Sequence, residues 1–413
     1  MSSRFADQSC QRQGNAPSGD APVHVLRVAV SQRICPSWRT PFFDALGARP
    51  AIRLTVFYGA GAISGATQND RNLASSQYTC LRGIRIPVVS TRRQTLRVIH
   101  PGLPWHLSRG HFDVVIVEPS TNLPNDLLAF LYCLVSGAKL VWTEYGAPDG
   151  YTPLRRLIQP AVHFLRLRAS AHVAFSSAAE RELIADGVDP ERIVRTLNTM
   201  DVMAQRERAR AYEPVREAER ARLGIEADEF VVAYIGALEE RKRIANVICA
   251  VKSLRRNGLA ARGLIIGDGQ HAAVLRKSAE EDDRDAVIFV GRREEDAALY
   301  LGISDVVVLP GEGGQAIPHA FACGKPVIAT GEAWVGGSSV YDYIDDGVEG
   351  FVVARDDVEA ICRCLRELIA DSGLCATMGA AAARRADRLT IEEMVSGFER
   401  AIQISAQGSM EEL

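Results

Sequence analysis

The sequence has no apolar run of the roughly 18 to 20 residues that a membrane-spanning helix needs. The longest run, around Leu127 to Val135, is interrupted by Ser136 and Gly137 and predicts a buried helix. Residues 1–22 are polar and lack the apolar core of a signal peptide, so we expect a disordered tail there.

Cysteine gives no sign of a metal site or a disulfide framework. The nine cysteines are scattered and form no Cys-x-x-Cys pair; only Cys362 and Cys364 lie close together. Neither a zinc site nor a set of disulfides is indicated. A reducing compartment agrees with this usage, and we expect a cytoplasmic protein.

The net charge is small, but it is unevenly distributed along the 413 residues. The whole chain carries −3, whereas residues 1–200 hold 22 Lys and Arg against 14 Asp and Glu. Arginines crowd Leu81 to Gly110 and flank the apolar stretch Leu157 to Leu167. One interpretation is peripheral association with an anionic membrane, at the inner face of the plasma membrane; the other is a solvated basic face. No nucleic-acid partner is expected, because aromatic residues do not alternate with the arginines.

Short β-branched runs alternate with helix-length segments along the whole chain. In the first half they lie at 25–31, 52–58, 84–90, 113–118, 139–143, 172–177 and 192–197. In the second half they lie at 230–236, 263–267, 286–291, 305–310, 326–330 and 350–353. The alternation predicts two parallel, doubly wound α/β sheets covered on both faces. Ligands are expected outside the carboxyl ends of the strands, in a cleft between two domains.

The segment Arg206 to Arg222 is dense in charge and nearly free of large apolar residues, which is typical of a surface helix or linker. We therefore divide the chain there. The predicted parts are a tail at 1–22, an N-terminal Rossmann-like domain at 23–205, a linker at 206–226, a C-terminal Rossmann-like domain at 227–390, and a C-terminal helix at 391–413 that can pack back on the first domain.

The stretch Ser304 to Thr330 predicts a strand, a glycine loop, a helix and a second strand. Proline is tolerated only in the first turn of a helix, so Pro318 places the helix start near Gln315. Free backbone N–H groups behind Gly313 and Gly314 offer a site to an anion, and phosphate is the usual ligand of such a loop.

Six motifs of the second half occur in a fixed order. They are Gly236 to Lys242, Ile266 to Gly269, Phe289 to Gly291, Ser304-Asp305, Ala322 to Thr330 and Ile344 to Gly350. Together they resemble the nucleotide-sugar half of the retaining family 4 glycosyltransferases (glycosyl transferases group 1), which have the two-domain GT-B fold. The resemblance implies transfer of a hexose, with retention, from a nucleotide diphosphate sugar to an acceptor hydroxyl, in polysaccharide, glycolipid or cell-envelope glycan synthesis. No metal and no cofactor is implied, and the donor nucleotide is expected to be of UDP or GDP type.

The resemblance also implies donor-binding residues. Lys242 is at the position of the family's diphosphate-binding lysine, with Arg241 beside it, and the backbone of Gly313 and Gly314 would share the diphosphate charge. The other expected donor contacts are Gly236, Gly267, Gly311, Gln315 and His319. For each, the alternative is a structural role: a solvated lysine, a tight turn, or a buried helix residue.

This sequence departs from the family at two glutamates. Gly311 and His319 occupy their positions. A histidine can still bond a ribose hydroxyl. Glu312, the residue after Gly311, would have to contact the donor sugar in place of the first glutamate. The family's strand-end arginine is replaced by Ala237, so Arg241 would have to supply the missing charge.

The acceptor side is less distinct. Glu144 and Tyr145 end a predicted strand where many family members have a histidine near the reacting sugar, and we name both as catalytic candidates beside Lys242 and Glu312. Packing of Tyr145 on the sheet end is the alternative. Other functions remain open: a nucleotide-sugar epimerase on the same fold, or a non-catalytic nucleotide-sugar-binding protein. The loop Gly59 to Gly65 superficially suits a dinucleotide, but no amphipathic helix or ribose-binding acid follows it.

Overall fold

The computed structural model describes residues 24–59, 69–70, 73, 75–90, 93–118, 123–145, 153–311, 315–331 and 340–407. The first half contains β1 (Leu26–Gln32), α1 (Thr40–Gly47), β2 (Ile52–Gly59), β3 (Tyr78–Leu81), β4 (Ile84–Ser90), β5 (Arg93–Ile99), α2 (Leu103–Gly110), β6 (Val114–Val117), α3 (Leu123–Ser136), β7 (Lys139–Glu144), α4 (Pro153–Arg168), β8 (Ala171–Ala174), α5 (Ser177–Ala185) and β9 (Ile193–Arg195). The second half contains α6 (Val202–Ala211), α7 (Arg216–Arg222), β10 (Phe230–Ile235), α8 (Ile244–Arg256), β11 (Ala261–Ile266), α9 (Ala272–Glu280), β12 (Val287–Gly291), α10 (Ala297–Gly302), β13 (Val306–Leu309), α11 (Ala316–Ala322), β14 (Val327–Thr330), α12 (Val340–Tyr343), β15 (Gly350–Val353), α13 (Val358–Ala370), α14 (Ser372–Ala386) and α15 (Ile391–Gln407).

Two parallel sheets organise the molecule. The first has the strand order β3-β2-β1-β6-β7-β8-β9 and the second the order β12-β11-β10-β13-β14-β15. Every residue of β6 and of β13 is buried, as expected for strands covered on both faces. The strand order reverses beside β1 in the first sheet and beside β10 in the second, and ligand sites of such sheets lie at these switch points.

One predicted strand does not join the parallel sheet. The run at 84–90 forms β4, which pairs antiparallel with β5, a strand that the pattern did not indicate. Only two residues separate β4 from β5. A parallel connection needs a crossover of a dozen residues or more, so a hairpin is the pairing that this spacing allows.

The helix α3 corrects a second expectation. The apolar run from Leu127 to Val135 is helical but is not buried along its length. Leu131, Leu134 and Val135 are 54%, 62% and 89% exposed, while Ala129, Phe130 and Cys133 face the core. No helix within the described ranges is long and apolar enough to cross a membrane.

The chain passes between the two sheets twice. The first crossover, residues 196–201, follows β9, and the second, residues 387–390, leads from α14 into α15. The helix α15 returns to the first sheet, where Phe398 packs on Phe42 with ring centroids 4.7 Å apart. The helices α6 and α7 pack on the second half instead; Arg220 donates to the Ile303 carbonyl over 2.9 Å.

The two crossovers are bonded to each other. The Thr199 hydroxyl donates to the Leu389 carbonyl over 2.5 Å. Asn198 is bonded from both halves, because its carbonyl accepts the Tyr343 hydroxyl at 2.6 Å and its amide oxygen accepts Arg39 Nη1 at 2.6 Å. We call these two segments the hinge, because they connect the two halves.

Candidate active site

Two glycines end neighbouring strands at the carboxyl edge of the second sheet. Gly236 follows β10 with φ +147°, and Gly267 follows β11 with φ +151°. A Cβ on Gly267 would overlap the Gly236 carbonyl oxygen. Just beyond them the Leu238 N–H donates to the Asp268 carbonyl over 2.9 Å. The two strand-end loops therefore touch backbone to backbone, which only glycine permits there.

Lys242 lies in the turn that follows β10. A short 3₁₀ helix, Glu240–Lys242, precedes α8, and Arg243 between them has φ +54°. Burial, together with the neighbouring Arg241 charge, lowers the pKa of the half-buried Lys242 amine to about 7. Arg241 Nε in turn donates to the Glu239 carboxylate over 2.5 Å. The turn thus presents one desolvated amine beside a paired guanidinium.

Gly311 explains how this turn is seated. It is buried two residues after the end of β13, and a Cβ there would lie 2.5 Å from the Arg241 carbonyl oxygen and 2.8 Å from Lys242 Cα. The Lys242 turn therefore rests on the start of the predicted anion-binding loop. The remaining candidates of that loop, Glu312, Gly313 and Gly314, lie outside the described residues.

The helix α11 begins directly after Gln315, and Pro318 lies in its first turn. Gln315 and His319 are one helical turn apart. Neither polar atom of the Gln315 side chain, nor His319 Nδ1, has a hydrogen-bond partner within the described part of the chain, although all three atoms are buried. Burial, together with the nearby Arg208 charge on α6, lowers the pKa of His319 to about 4, so the imidazole is neutral at neutral pH. These are unused donors and acceptors near the predicted loop.

On the acceptor side the structure separates Glu144 from Tyr145. The Glu144 carboxylate is buried, where it pairs with Arg166 Nη2 at 3.0 Å and accepts from Trp142 Nε1 at 3.2 Å. Arg166 also pairs with Asp186, which ties α4 and α5 to the end of β7. Glu144 therefore lies in a buried ion-pair network. These bonds compete with the catalytic role predicted for its carboxylate.

Tyr145 faces a different set of residues. Its ring packs on Phe175 with centroids 4.5 Å apart. Burial and the nearby Glu118 carboxylate raise the pKa of Tyr145 well above its usual range, and its hydroxyl is in hydrogen-bond contact with Glu118 and Arg39. Arg33 adds a second guanidinium, whose pKa is lowered by burial and raised in part by Glu118. We call Arg33, Arg39, Glu118 and Tyr145 the acceptor-side cluster.

Sequence reasoning missed two members of this cluster that end strands. Arg33 directly follows β1 and Glu118 directly follows β6, the two strands at the switch point of the first sheet. A charged residue immediately after each of two predicted strands was the available signal, because carboxyl ends of parallel strands meet at one edge. No group of three or more His, Cys, Asp or Glu side chains in the described ranges is placed to hold a metal ion.

Comparison with known proteins gives a family match. Residues 215–385 match the family model of the glycosyl transferases group 1. The matched range lies in the second half of the chain and supports a glycosyltransferase of this group. Group 1 glycosyltransferases use nucleotide sugars as substrates, so the protein is a glycosyltransferase enzyme whose donor is a nucleotide sugar.

Two curated relatives extend the likeness beyond that range. A GDP-mannose-dependent alpha-(1-6)-phosphatidylinositol monomannoside mannosyltransferase of Mycolicibacterium smegmatis is 29% identical over 353 residues, covering 79% of this chain and 84% of the relative. A D-inositol 3-phosphate glycosyltransferase of Kineococcus radiotolerans is 29% identical over 259 residues, covering 56% and 57%. These homologues support a nucleotide-sugar donor and a sugar or lipid acceptor.

Solved structures confirm the fold. Anabaena Alr3699/HepE in complex with UDP superposes with a TM-score of 0.70 at 17% identity, covering 92% of this chain and 100% of that one. The lipopolysaccharide outer core galactosyltransferase WaaB gives 0.63 at 16% identity, covering 91% and 99%. The expected α/β architecture, a GT-B fold of two Rossmann-like halves, is thus confirmed for this glycosyltransferase.

Proposed function

We propose that this glycosyltransferase moves a hexose from a nucleotide diphosphate sugar to a hydroxyl of a lipid-linked acceptor, with retention, in the synthesis of a glycolipid or cell-envelope glycan. The observation that carries the proposal is the seating of the Lys242 turn on Gly311. The backbone of Lys242, whose amine is desolvated, lies beside the start of the predicted diphosphate loop, which supports a role of this lysine in binding the diphosphate. A UDP or GDP donor suits the site, and the Mycolicibacterium relative's name specifies GDP-mannose.

The chemistry requires charge stabilisation on the donor side. As the bond between the anomeric carbon and the diphosphate oxygen breaks, negative charge grows on the leaving diphosphate. Lys242 would neutralise this charge, with backbone N–H groups of Gly313 and Gly314 adding hydrogen bonds. Gln315 and His319 have free hydrogen-bonding atoms for the nucleotide, and Glu312 is proposed to contact the sugar.

The acceptor hydroxyl would approach from the first sheet. The acceptor-side cluster lies at its carboxyl edge and combines two guanidinium groups with Glu118 and the Tyr145 phenol. The guanidinium groups could bind the phosphate of a phosphorylated acceptor. The Tyr145 phenol could form a hydrogen bond with the acceptor hydroxyl near the reacting sugar. Retention requires the acceptor oxygen to bond on the face that the diphosphate leaves.

A matched pair of lysine variants tests the donor site. Thermal unfolding with UDP, GDP and their sugars should show stabilisation of the wild type by one nucleotide. Lys242→Met should lose this stabilisation and the sugar transfer, whereas Lys277→Met, on the exposed face of α9, should keep both. Stabilisation of Lys242→Met equal to the wild type would remove Lys242 from the site. Product NMR at the anomeric carbon decides between retention and inversion.

Features of the helices α2, α3 and α4 support the proposal of a lipid-linked acceptor. These helices expose an apolar patch, and α3 touches α4 through Phe130 and Phe164, whose centroids are 6.0 Å apart. The exposed large apolar side chains of these helices, which we call the patch, include Trp105, Leu131, Leu134, Val135, Leu157, Phe164 and Leu167. Arg109 lies over Trp105 at 4.8 Å and Arg168 over Phe164 at 5.2 Å. Arginines bordering apolar side chains fit an anionic bilayer, which we propose as the occupant of this patch.

Vesicle sedimentation tests the membrane contact with two exposed aliphatic residues. Leu134 on the patch and Val274 on α9 are each 62% exposed. Leu134→Glu should weaken binding to vesicles containing phosphatidylglycerol, whereas Val274→Glu should bind as the wild type does. Equal binding of both variants, or equal binding to neutral and anionic vesicles, would contradict the proposal.

A further inference from the structure

We propose that a cavity at the hinge binds a phosphate-bearing small molecule, at a site separate from the donor and acceptor sites. The cavity has a volume of about 420 Å³ and is lined by both crossovers and the elements beside them. Its polar lining consists of Arg195, Thr196, Thr199, Asp342, Arg385, Arg388, Thr390, Glu393 and Arg400. A volume of this size lies in the range of small-molecule sites.

The lining has a surplus of positive charge. Four arginines face two carboxylates, those of Asp342 and Glu393. The Asp342 carboxylate is already engaged, since it accepts the Ser177 backbone N–H at 3.0 and 3.2 Å and lies 3.9 Å from Arg195 Nη1. Asp342 and Arg195 therefore offset each other's charge, which leaves Glu393 as the carboxylate facing the other three arginines of the lining.

The four arginines differ in what they already bind. Arg385 donates to the Asp342 carbonyl over 3.2 Å and pairs with Asp345 at 3.4 Å. Arg388 and Arg400, in contrast, have no carboxylate within 4.0 Å anywhere in the described ranges. Two unpaired guanidinium groups on one cavity match a phosphate, because their planar N–H groups can bond two of its oxygens at once.

The position of the cavity distinguishes it from the donor site. None of its lining residues belongs to the Lys242 turn, to α11 or to the acceptor-side cluster. It is formed instead where Arg195 leaves β9 of the first sheet and where Arg388 follows α14 of the second half. The hydrogen bond between Thr199 and Leu389 closes the two crossovers against each other at this point.

A ligand in the cavity would bridge the two halves of the enzyme. A phosphate bonded to both Arg388 and Arg400 would link the second crossover to α15, beside Arg195 at the end of β9. Binding would therefore favour the arrangement of the halves in which these arginines face each other. The ligand would act on the hinge and through it on the width of the cleft.

Titration calorimetry with inorganic phosphate, at constant ionic strength, tests the site. Arg388→Gln/Arg400→Gln should weaken phosphate binding by about tenfold for each arginine, because each substitution removes charge-assisted hydrogen bonds. The control Arg256→Gln/Arg363→Gln removes the same charge from exposed helix positions and should bind as the wild type does. The Lys242→Met variant should also bind phosphate normally.

Each opposite result overturns the proposal. Wild-type affinity in Arg388→Gln/Arg400→Gln would show that phosphate binds elsewhere, and its loss in Lys242→Met would place it in the donor site. An absence of saturable binding to the wild type would remove the site altogether. Hydrogen exchange supplies a second measurement, since phosphate should slow exchange at residues 196–201 and 387–390; unchanged exchange there contradicts binding at the hinge.

Discussion

Binding of the donor should take up a proton at Lys242. Burial lowers the amine pKa to about 7 in the unliganded site, so at pH 8 about nine-tenths of the molecules hold a neutral amine. A bound diphosphate favours the charged amine and raises its pKa. Affinity is therefore full below pH 7 and falls as pH rises through the unliganded pKa, by about tenfold per pH unit. Between pH 6 and pH 9 the expected loss is about 100-fold.

Calorimetry with the stabilising nucleotide sugar measures this linkage directly. At pH 8 the heat of binding should differ between buffers of different ionisation enthalpy, corresponding to about 0.9 proton taken up per site. Lys242→Arg provides the control, because a guanidinium stays charged throughout this range and should make binding independent of pH. A wild-type affinity that is constant from pH 6 to 9, or an unaltered pH dependence in Lys242→Arg, would refute the reasoning.

Two further predictions concern packing and buried charge. Gly311→Glu restores the family residue but should lower the free energy of unfolding by about 1–3 kcal/mol, because its Cβ would lie 2.5 Å from the Arg241 carbonyl oxygen. Gly102→Ala, with 3.7 Å to the nearest atom, is the control in thermal unfolding, and equal midpoints would contradict the packing argument. His172 is fully buried and its pKa is lowered to about 3, so stability should fall below pH 6.5, by about 2 kcal/mol at pH 5. Urea unfolding of His172→Leu should show a correspondingly smaller loss between pH 7 and 5; the same loss as the wild type would contradict it.

The sheets could be predicted well because a strand buried on both faces is recognisable from a short stretch of sequence, as a run of β-branched residues. In the second half, the first and last residues of each run lie within about two residues of the ends of the corresponding strand. The hairpin of β4 and β5 was missed because the pattern of β4 does not reveal its partner. Pairing direction depends on the length of the connection, and here that length rules out a parallel crossover.

The burial of α3 could not be predicted from its composition. An apolar run indicates that a segment can be buried, whereas the neighbouring elements determine which face of the helix is covered. In the structure Ala129, Phe130 and Cys133 take the covered side, and Leu134 and Val135 are left exposed. The acceptor-side cluster was hidden for a similar reason, since Arg33, Glu118 and Tyr145 are far apart in the chain and meet only at the sheet edge.

Two glutamates are replaced in this enzyme relative to the family that its second half resembles. At Gly311 the missing side chain leaves room that the backbone of Arg241 and Lys242 occupies. At His319 a neutral imidazole, whose Nδ1 has no partner among the described residues, replaces a carboxylate. We infer that both changes lower the negative charge around the donor while the lysine remains next to the loop. Such a site should bind a diphosphate most tightly when Lys242 is protonated. Because the pKa of Lys242 is about 7, the affinity for the donor should depend on pH near neutrality.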